Sequence, residues 1–207
     1  MNILHIDSSP RPKSHSRELS AAIVNKLLQV APDASIRRRD LGADPLPHAT
    51  ADYADTLSSP ATLTAPLKGA LDLAETLIRE VEAADVIVIG TPMHNFTIPS
   101  VLKAWIDQVI RVGRTMESTP AGKVGMLLDR PVFIGVASGG VFTGERGNQP
   151  DFLTPYLTLA LNSIGLKTLQ FLPLQATAFI EKGQAPLASL IDAIDLTVVQ
   201  ELRDVAA

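Results

Sequence analysis

No cysteine occurs among the 207 residues. That excludes disulfides, thiolate chemistry, cysteine-ligated zinc and iron–sulfur clusters. A basic surplus is also missing: the net charge is −4 and the isoelectric point is near 5.5, so neither nucleic acid nor an anionic membrane surface is an expected partner. The triplet Arg37-Arg38-Arg39 is too short to change this and reads as a solvated strand end. No apolar run approaches the roughly 18 residues of a membrane span. The opening MNILHIDSS has no basic region and only a short apolar run, so no signal peptide is expected, and a cytoplasmic protein is the default expectation. Internal repeats, low-complexity tracts and linkers are lacking too, and residues 1–207 are expected to form one domain.

What is present is an alternation of short apolar runs and amphipathic stretches. Hydrophobic residues make up 46% and charged residues 19% of the chain, an ordinary balance for a chain long enough to bury a core. Ile3–Ile6 reads as a strand, and Leu19, Ile23, Val24, Leu27 and Leu28 share one helical face that Pro32 ends. Ser35–Leu41 is a second strand, placed near a sheet edge by its three arginines. Residues 42–66 look irregular, with prolines at 45, 47, 60 and 66, and Leu67, Leu71, Ala74, Ile78 and Val81 then recur at helical spacing. DVIVIG (85–90) and PVFIGVAS (131–138) are the almost wholly apolar runs of central parallel strands buried on both faces.

Pro99 stands where a helix should begin, followed by Leu102, Trp105, Ile106 and Val109 on its inward face. Leu153, Tyr156, Leu157, Ala160, Leu161 and Ile164 predict a fourth helix, residues 166–174 a fifth strand, and Leu187, Leu190, Ile191, Ile194, Val198 and Leu202 a closing helix. Five strands alternating with five helices predict a doubly wound α/β fold, a parallel sheet with helices on both faces.

In such sheets a ligand sits beyond the carboxyl ends of the strands, where strand order reverses. With the order 2-1-3-4-5, three loops meet there: residues 8–17, 91–98 and 137–147. The first, within SSPRPKSHSRELS (8–20), has no Gly-rich phosphate fingerprint but brings Ser14, His15 and Ser16 to a helix start. Exposed N–H groups and the helix dipole favour an anion there, although a serine at that place would equally serve as a helix cap. The second, TPMHNFTIP (91–99), offers Met93 and Phe96 as apolar surface, with Asn95 and the backbone for the polar edge of a flat heterocycle. Ala137-Ser138-Gly139-Gly140 in the third permits close backbone approach.

Together these segments resemble the FMN-dependent NADH:quinone oxidoreductases and NADH-azoreductases of the flavodoxin-like fold. The resemblance rests on Ser9 with Ser14-x-Ser16, PMHNFTIPSVLKAWIDQV, Ala-Ser-Gly-Gly and DFLTPYL with the later Ile164-Gly165, and it spans essentially the whole chain. It implies a five-stranded flavodoxin-like sheet in which Ser9, Ser14, His15 and Ser16 hold the FMN phosphate. Met93, His94, Asn95 and Phe96 would hold the isoalloxazine ring, and Ala137, Ser138, Gly139 and Gly140 its pyrimidine side and the ribityl chain. NADH or NADPH would be the co-substrate in a ping-pong scheme, a quinone or azo compound the acceptor, and a homodimer the assembly, with the site at the subunit junction. No catalytic side chain is implied, since flavin N5 carries the chemistry, and no metal.

Phe142 and Met116 are the candidates for lining the substrate space. The sequence departs from the family pattern at His94, commonly tyrosine, and at Ala137-Ser138, often Ser-Arg. Two other readings of the same residues are a flavodoxin-type electron carrier without its own NADH reaction, and a non-flavin α/β interaction protein.

Overall fold

The apolar run Ile3–Ile6 lies in strand β1 (Asn2–Asp7), and the alternation continues through helix α1 (His15–Val30), β2 (Ser35–Asp40), α2 (Ala51–Leu57), α3 (Pro60–Thr64), α4 (Asp72–Ala83) and β3 (Val86–Pro92). Then follow α5 (Ser100–Val109), β4 (Met116–Thr119), β5 (Gly122–Gly125), β6 (Val132–Ala137), α6 (Thr154–Ser163), β7 (Leu169–Leu174), α7 (Pro186–Asp192) and α8 (Thr197–Ala206). These elements belong to a computed structural model that describes residues 1–64, 68–179 and 186–206. Leu67 and Pro66 lie outside the described residues.

Five strands form one parallel sheet in the order β2-β1-β3-β6-β7. This is the order expected from the sequence once two extra strands are counted. Side chains alternate across it with the strand period of two. Ile87, Ile89, Ile134 and Val136 face one core, closed by Leu77, Ile78, Leu102, Trp105, Leu157 and Leu161 of α4, α5 and α6. Val86, Val88 and Phe133 face the other, closed by Leu19, Ile23 and Leu27 of α1 and by Val199 of α8. Each fully buried aliphatic side chain contributes about 1.5–3 kcal/mol by leaving water, so β3 and β6, buried almost throughout, are fixed in register.

Both edges of the sheet carry features that discourage further pairing. On β2, Arg37 and Arg39 pair with the buried Glu80 while Arg38 reaches Asp7 from the opposite face. On β7, Pro173 has no N–H to offer a neighbour.

Several sequence expectations are corrected. Residues 116–125, for which the sequence predicts no element, form an antiparallel hairpin of β4 and β5. The stretch read as irregular holds the helical segments 51–57 and 60–64, the first capped by Thr50, whose Oγ accepts from Tyr53 N at 3.2 Å. The single closing helix is two, because Asp195 takes the N–H of Thr197 at 2.9 Å and starts a new one. The last sheet strand begins at Leu169 rather than at residue 166, and Pro99 stands just before α5, whose first residue is Ser100. No helix among the described residues is long and apolar enough to cross a membrane.

Candidate functional site

Parallel pairing aligns the carboxyl ends of neighbouring strands, so the loops that leave them emerge together. Asp7 is opposite Gly90, and Pro92 is opposite Ala137. The backbone continues the contact: Ser8 donates to Gly90 O from both N (3.0 Å) and Oγ (3.1 Å), and Met93 N donates to Ala137 O at 2.8 Å. The three loops singled out from the sequence are thus brought to one edge of the sheet.

In the first loop Ser14 is the N-cap of α1, its Oγ accepting from Arg17 N at 3.4 Å. The capping reading therefore holds for Ser14. Ser16, fully buried, is one turn position inside the helix, with its Oγ 3.3 Å from that of Ser14. The first N–H groups of a helix have no intrahelical partner. Ser14 takes that of Arg17, while those of His15 and Ser16 remain at the helix end. His15 is half-buried, and its Nδ1 lies 3.5 Å from a Glu18 carboxylate oxygen. Ser9 is buried, and its Oγ accepts from Arg11 N at 3.3 Å.

Beneath this loop lies a charged cluster that the sequence reading missed. The Arg17 guanidinium grips both carboxylate oxygens of Asp40 at 2.6 Å, and also donates to the Ser9 carbonyl from Nε (3.2 Å) and Nη2 (2.7 Å). Asp7, 1% exposed, accepts from Ser20 Oγ (2.8 Å) and from Arg38 (2.6 Å), with Arg17 Nη1 at 3.7 Å and His5 Nε2 at 3.5 Å. Burial alone would raise the Asp7 carboxyl, but the His5, Ser20 and Arg17 contacts outweigh it and hold it below the usual range. The bond to Arg17 likewise lowers Asp40. Gly42 closes the cluster: a Cβ there would stand 2.0 Å from Ser9 O.

The second loop is a tight turn in which His94 and Thr97 exchange N–H···O bonds of 2.9 and 3.1 Å. Asn95 (φ 48°) and Phe96 (φ 71°) occupy its left-handed corners. Asparagine tolerates that region, but for a phenylalanine it is a strained backbone of the kind found where the surroundings demand it. Phe96 is 46% exposed, so it presents its ring outward instead of filling the core. His94 and Asn95 are also exposed, and Met93 is half-buried.

In the third loop Ala137 and Ser138 are buried, Gly139 is exposed and Gly140 half-buried. A Cβ on Gly139 would meet only the Ala178 Cβ, at 3.8 Å, so the space above it is open. A Cβ on Gly140 would run into the Gln149 side chain at 2.4 Å. Gln149, absent from the sequence expectations, bridges the two ring-side loops: its Nε2 donates to Ser138 Oγ (2.8 Å) and contacts Met93 Sδ (3.1 Å). Phe142 and Met116, expected to line the substrate space, are 9% and 2% exposed and pack into the core.

This arrangement fits a flavin mononucleotide. A phosphate would find two hydroxyls and the N–H groups at the start of a 16-residue helix. A flat ring would find the outward turn at 93–96 on one side and the unobstructed backbone at Gly139 on the other. A cavity of about 310 Å³ lined by Met1, Ala31, Asp85 and Arg203 lies at the opposite, amino-terminal end of the strands, away from where ligands bind in this architecture. Among the described residues no group of three His, Asp or Glu side chains is placed to hold a metal.

Comparison with known proteins agrees with the geometry. Residues 1–196 match the family model described as flavodoxin-like fold. The chain is 50% identical over 179 residues to FMN-dependent NADH:quinone oxidoreductase 4 of Pseudomonas fluorescens, covering 86% of this chain and 85% of that one. It is 44% identical to FMN-dependent NADH:quinone oxidoreductase 2 of Cupriavidus pinatubonensis, over 87% and 91% of the two chains. Among solved structures, an azoreductase from Bacillus anthracis str. Sterne superposes with a TM-score of 0.77 at 22% identity, over 93% of this chain and 95% of that one. An FMN-dependent NADH-azoreductase from Bacillus anthracis str. Ames Ancestor, solved in complex with FMN, gives 0.77 at 22% identity with full coverage of both chains. At that identity the structural likeness speaks for the fold alone, and the sequence likeness carries the rest. The chain has the flavodoxin-like fold and belongs to the family of FMN-dependent NADH:quinone oxidoreductases.

Proposed function

We propose that the protein, acting as one domain over residues 1–207, is an FMN-dependent oxidoreductase that takes electrons from NADH and delivers them to quinones or aromatic azo compounds. The observation that carries this is the meeting of a serine-rich helix start, an outward aromatic turn and an open glycine loop at the carboxyl ends of adjacent strands. Membership of a family whose relatives are named for this activity supports it. When bound, FMN supplies the chemistry, accepting a hydride at N5 and passing two electrons on.

The chain's own residues would bind and orient. Ser9, Ser14, His15 and Ser16 hold the phosphate through hydroxyl and N–H donors; charge-assisted bonds of that kind contribute about 1.5–3 kcal/mol each. Met93, His94, Asn95 and Phe96 support the ring, and Ala137, Ser138, Gly139 and Gly140 meet its pyrimidine side and the ribityl chain. Backbone N–H groups there act as fixed donors toward negative charge on the ring. No side-chain acid–base pair is needed, because the last protons can come from solvent.

NADH and the acceptor would occupy the same face in turn. Initial rates at several fixed NADH concentrations should then give parallel double-reciprocal lines; intersecting lines would rule out a shared place. Purified protein should be yellow and should oxidise NADH with a quinone or azo dye and no partner reductase. A colourless protein that ignores added FMN would overturn the proposal, and a yellow one without NADH oxidation would make it an electron carrier.

A homodimer is the proposed assembly. It is supported by an apolar surface on and beside α6, where Leu159 is 72%, Phe152 61% and Leu128 81% exposed. Light scattering giving the mass of one chain would contradict it.

A further inference from the structure

We infer that Arg17 is a positioning residue for the phosphate loop: anchored on Asp40, its guanidinium fixes the direction of the Ser9 carbonyl and thereby sets a preference for FMN over riboflavin. This rests on the FMN reading above. A loop that cradles an anion must turn its N–H groups toward the ligand and its carbonyls away, since a carbonyl oxygen facing a phosphate is repelled. The Ser9 carbonyl is the group at risk, because it lies in the loop between β1 and the helix start.

Two separate observations show its direction is imposed. Arg17 donates to that oxygen from both Nε and Nη2, at 3.2 and 2.7 Å. On the β2 side the same oxygen approaches Gly42 so closely that a Cβ would lie 2.0 Å away.

The shape of the donor matters as much as its charge. Arg17 engages two acceptors at once, the Asp40 carboxylate through a pair of 2.6 Å bonds and the Ser9 carbonyl through the remaining edge of the fork. A planar guanidinium can do this and a lysine ammonium cannot. Its side chain is only 14% exposed, and its guanidinium is engaged by Ser9, Asp40 and Asp7 within the protein, so it acts through the loop. Charge bears on the same point: two carboxylates, Asp7 and Asp40, lie under a site meant for an anion, and Arg17 and Arg38 balance them. If balance were the whole role, any cation at position 17 would suffice, and neutralising Asp40 would strengthen phosphate binding. The positioning role makes the opposite forecast for both changes.

The test is titration of apoprotein with FMN and with riboflavin, followed by flavin fluorescence, in wild type, R17K and D40N, with thermal unfolding as the control for folding. Riboflavin has the ring and ribityl chain but no phosphate, so a general loss of structure weakens both ligands. A misdirected loop weakens FMN selectively. R17K is expected to lower the ratio of FMN to riboflavin affinity at least about tenfold, the equivalent of about 1.4 kcal/mol, with riboflavin affinity held within about twofold. D40N should lower it in the same direction, and the double variant should add little to either single change, since the two side chains act as one unit. A wild-type ratio in folded R17K, or tighter FMN binding in D40N, would overturn the inference. Should R17K fail to unfold cooperatively, D40N decides alone. If wild type binds neither flavin, the FMN reading itself falls; if it prefers FMN and the variants do too, only the role of Arg17 falls.

Discussion

Ser14 and Ser16 are two residues apart and do different work. Ser14 has its Oγ committed to the helix end, as the acceptor for Arg17 N. Ser16 is fully buried, and among the described residues its hydroxyl meets that of Ser14 alone, at 3.3 Å, which leaves it free to turn toward an anion. Ser16→Ala should therefore weaken FMN by about 1–2 kcal/mol in a fluorescence titration, from loss of one charge-assisted bond. Unchanged affinity would make Ser16 a packing residue. The serines were legible because an unusual density of hydroxyls at a strand-to-helix junction is a local signal. Arg17 with Asp40, and Gln149 with Ser138, leave no such signal: the partners stand 23 and 11 positions apart in the chain, at no helical or strand spacing, and only the fold brings them together. Phe96 was visible as a candidate contact, but its left-handed backbone was not, since no glycine marks that corner of the turn.

At the level of elements, α5 is finished by a side chain. Buried Thr115 donates from Oγ to Val109 O at 2.6 Å and accepts from Arg111 N at 2.9 Å, while its own carbonyl takes Met126 N from the end of the hairpin. Replacing Thr115 by Val keeps the shape and orphans a buried donor and acceptor. Stability to urea should fall by about 1–3 kcal/mol, and Thr115→Ser should recover most of it. Long periodic elements such as α1, α4 and the buried strands β3 and β6 were readable from the sequence, because ten or more residues repeat one pattern or an apolar run allows few placements. The hairpin was not: its strands have four residues each and contain glycine and mostly polar side chains, too little for a period to emerge. The break between α7 and α8 was hidden because apolar spacing continues through it while Asp195 takes over the backbone.

For the whole molecule, Glu75 is a junction. Its carboxylate on α4 receives Arg114 (3.2 Å), Arg111 (2.9 Å) and Arg79 (3.1 Å), tying that helix to the segment after α5. Bonding to Arg114, against a smaller effect of burial, pushes its pKa down to about 2. A carboxyl depressed on folding stabilises the native state above its unfolded value, and that contribution is lost as pH falls through the folded one. Stability should therefore decline between pH of about 4.5 and about 2, with Asp40 and Glu82, also lowered, adding in the same sense. Glu75→Gln should reduce stability near neutrality and lessen the acid-side slope in urea unfolding followed at several pH values. An unaltered slope would remove Glu75 from the account.

The two margins of the sheet bear on how copies of this protein can meet. One carries a row of arginines already engaged from both faces, and the other contains a proline without a hydrogen to donate. A second molecule therefore finds no ready ladder to extend at either side. Contacts between copies would then rest on helices and loops instead of on strand pairing. The same guarding works while the chain is being made: a half-folded sheet with both borders blunted is a poor seed for fibrous growth.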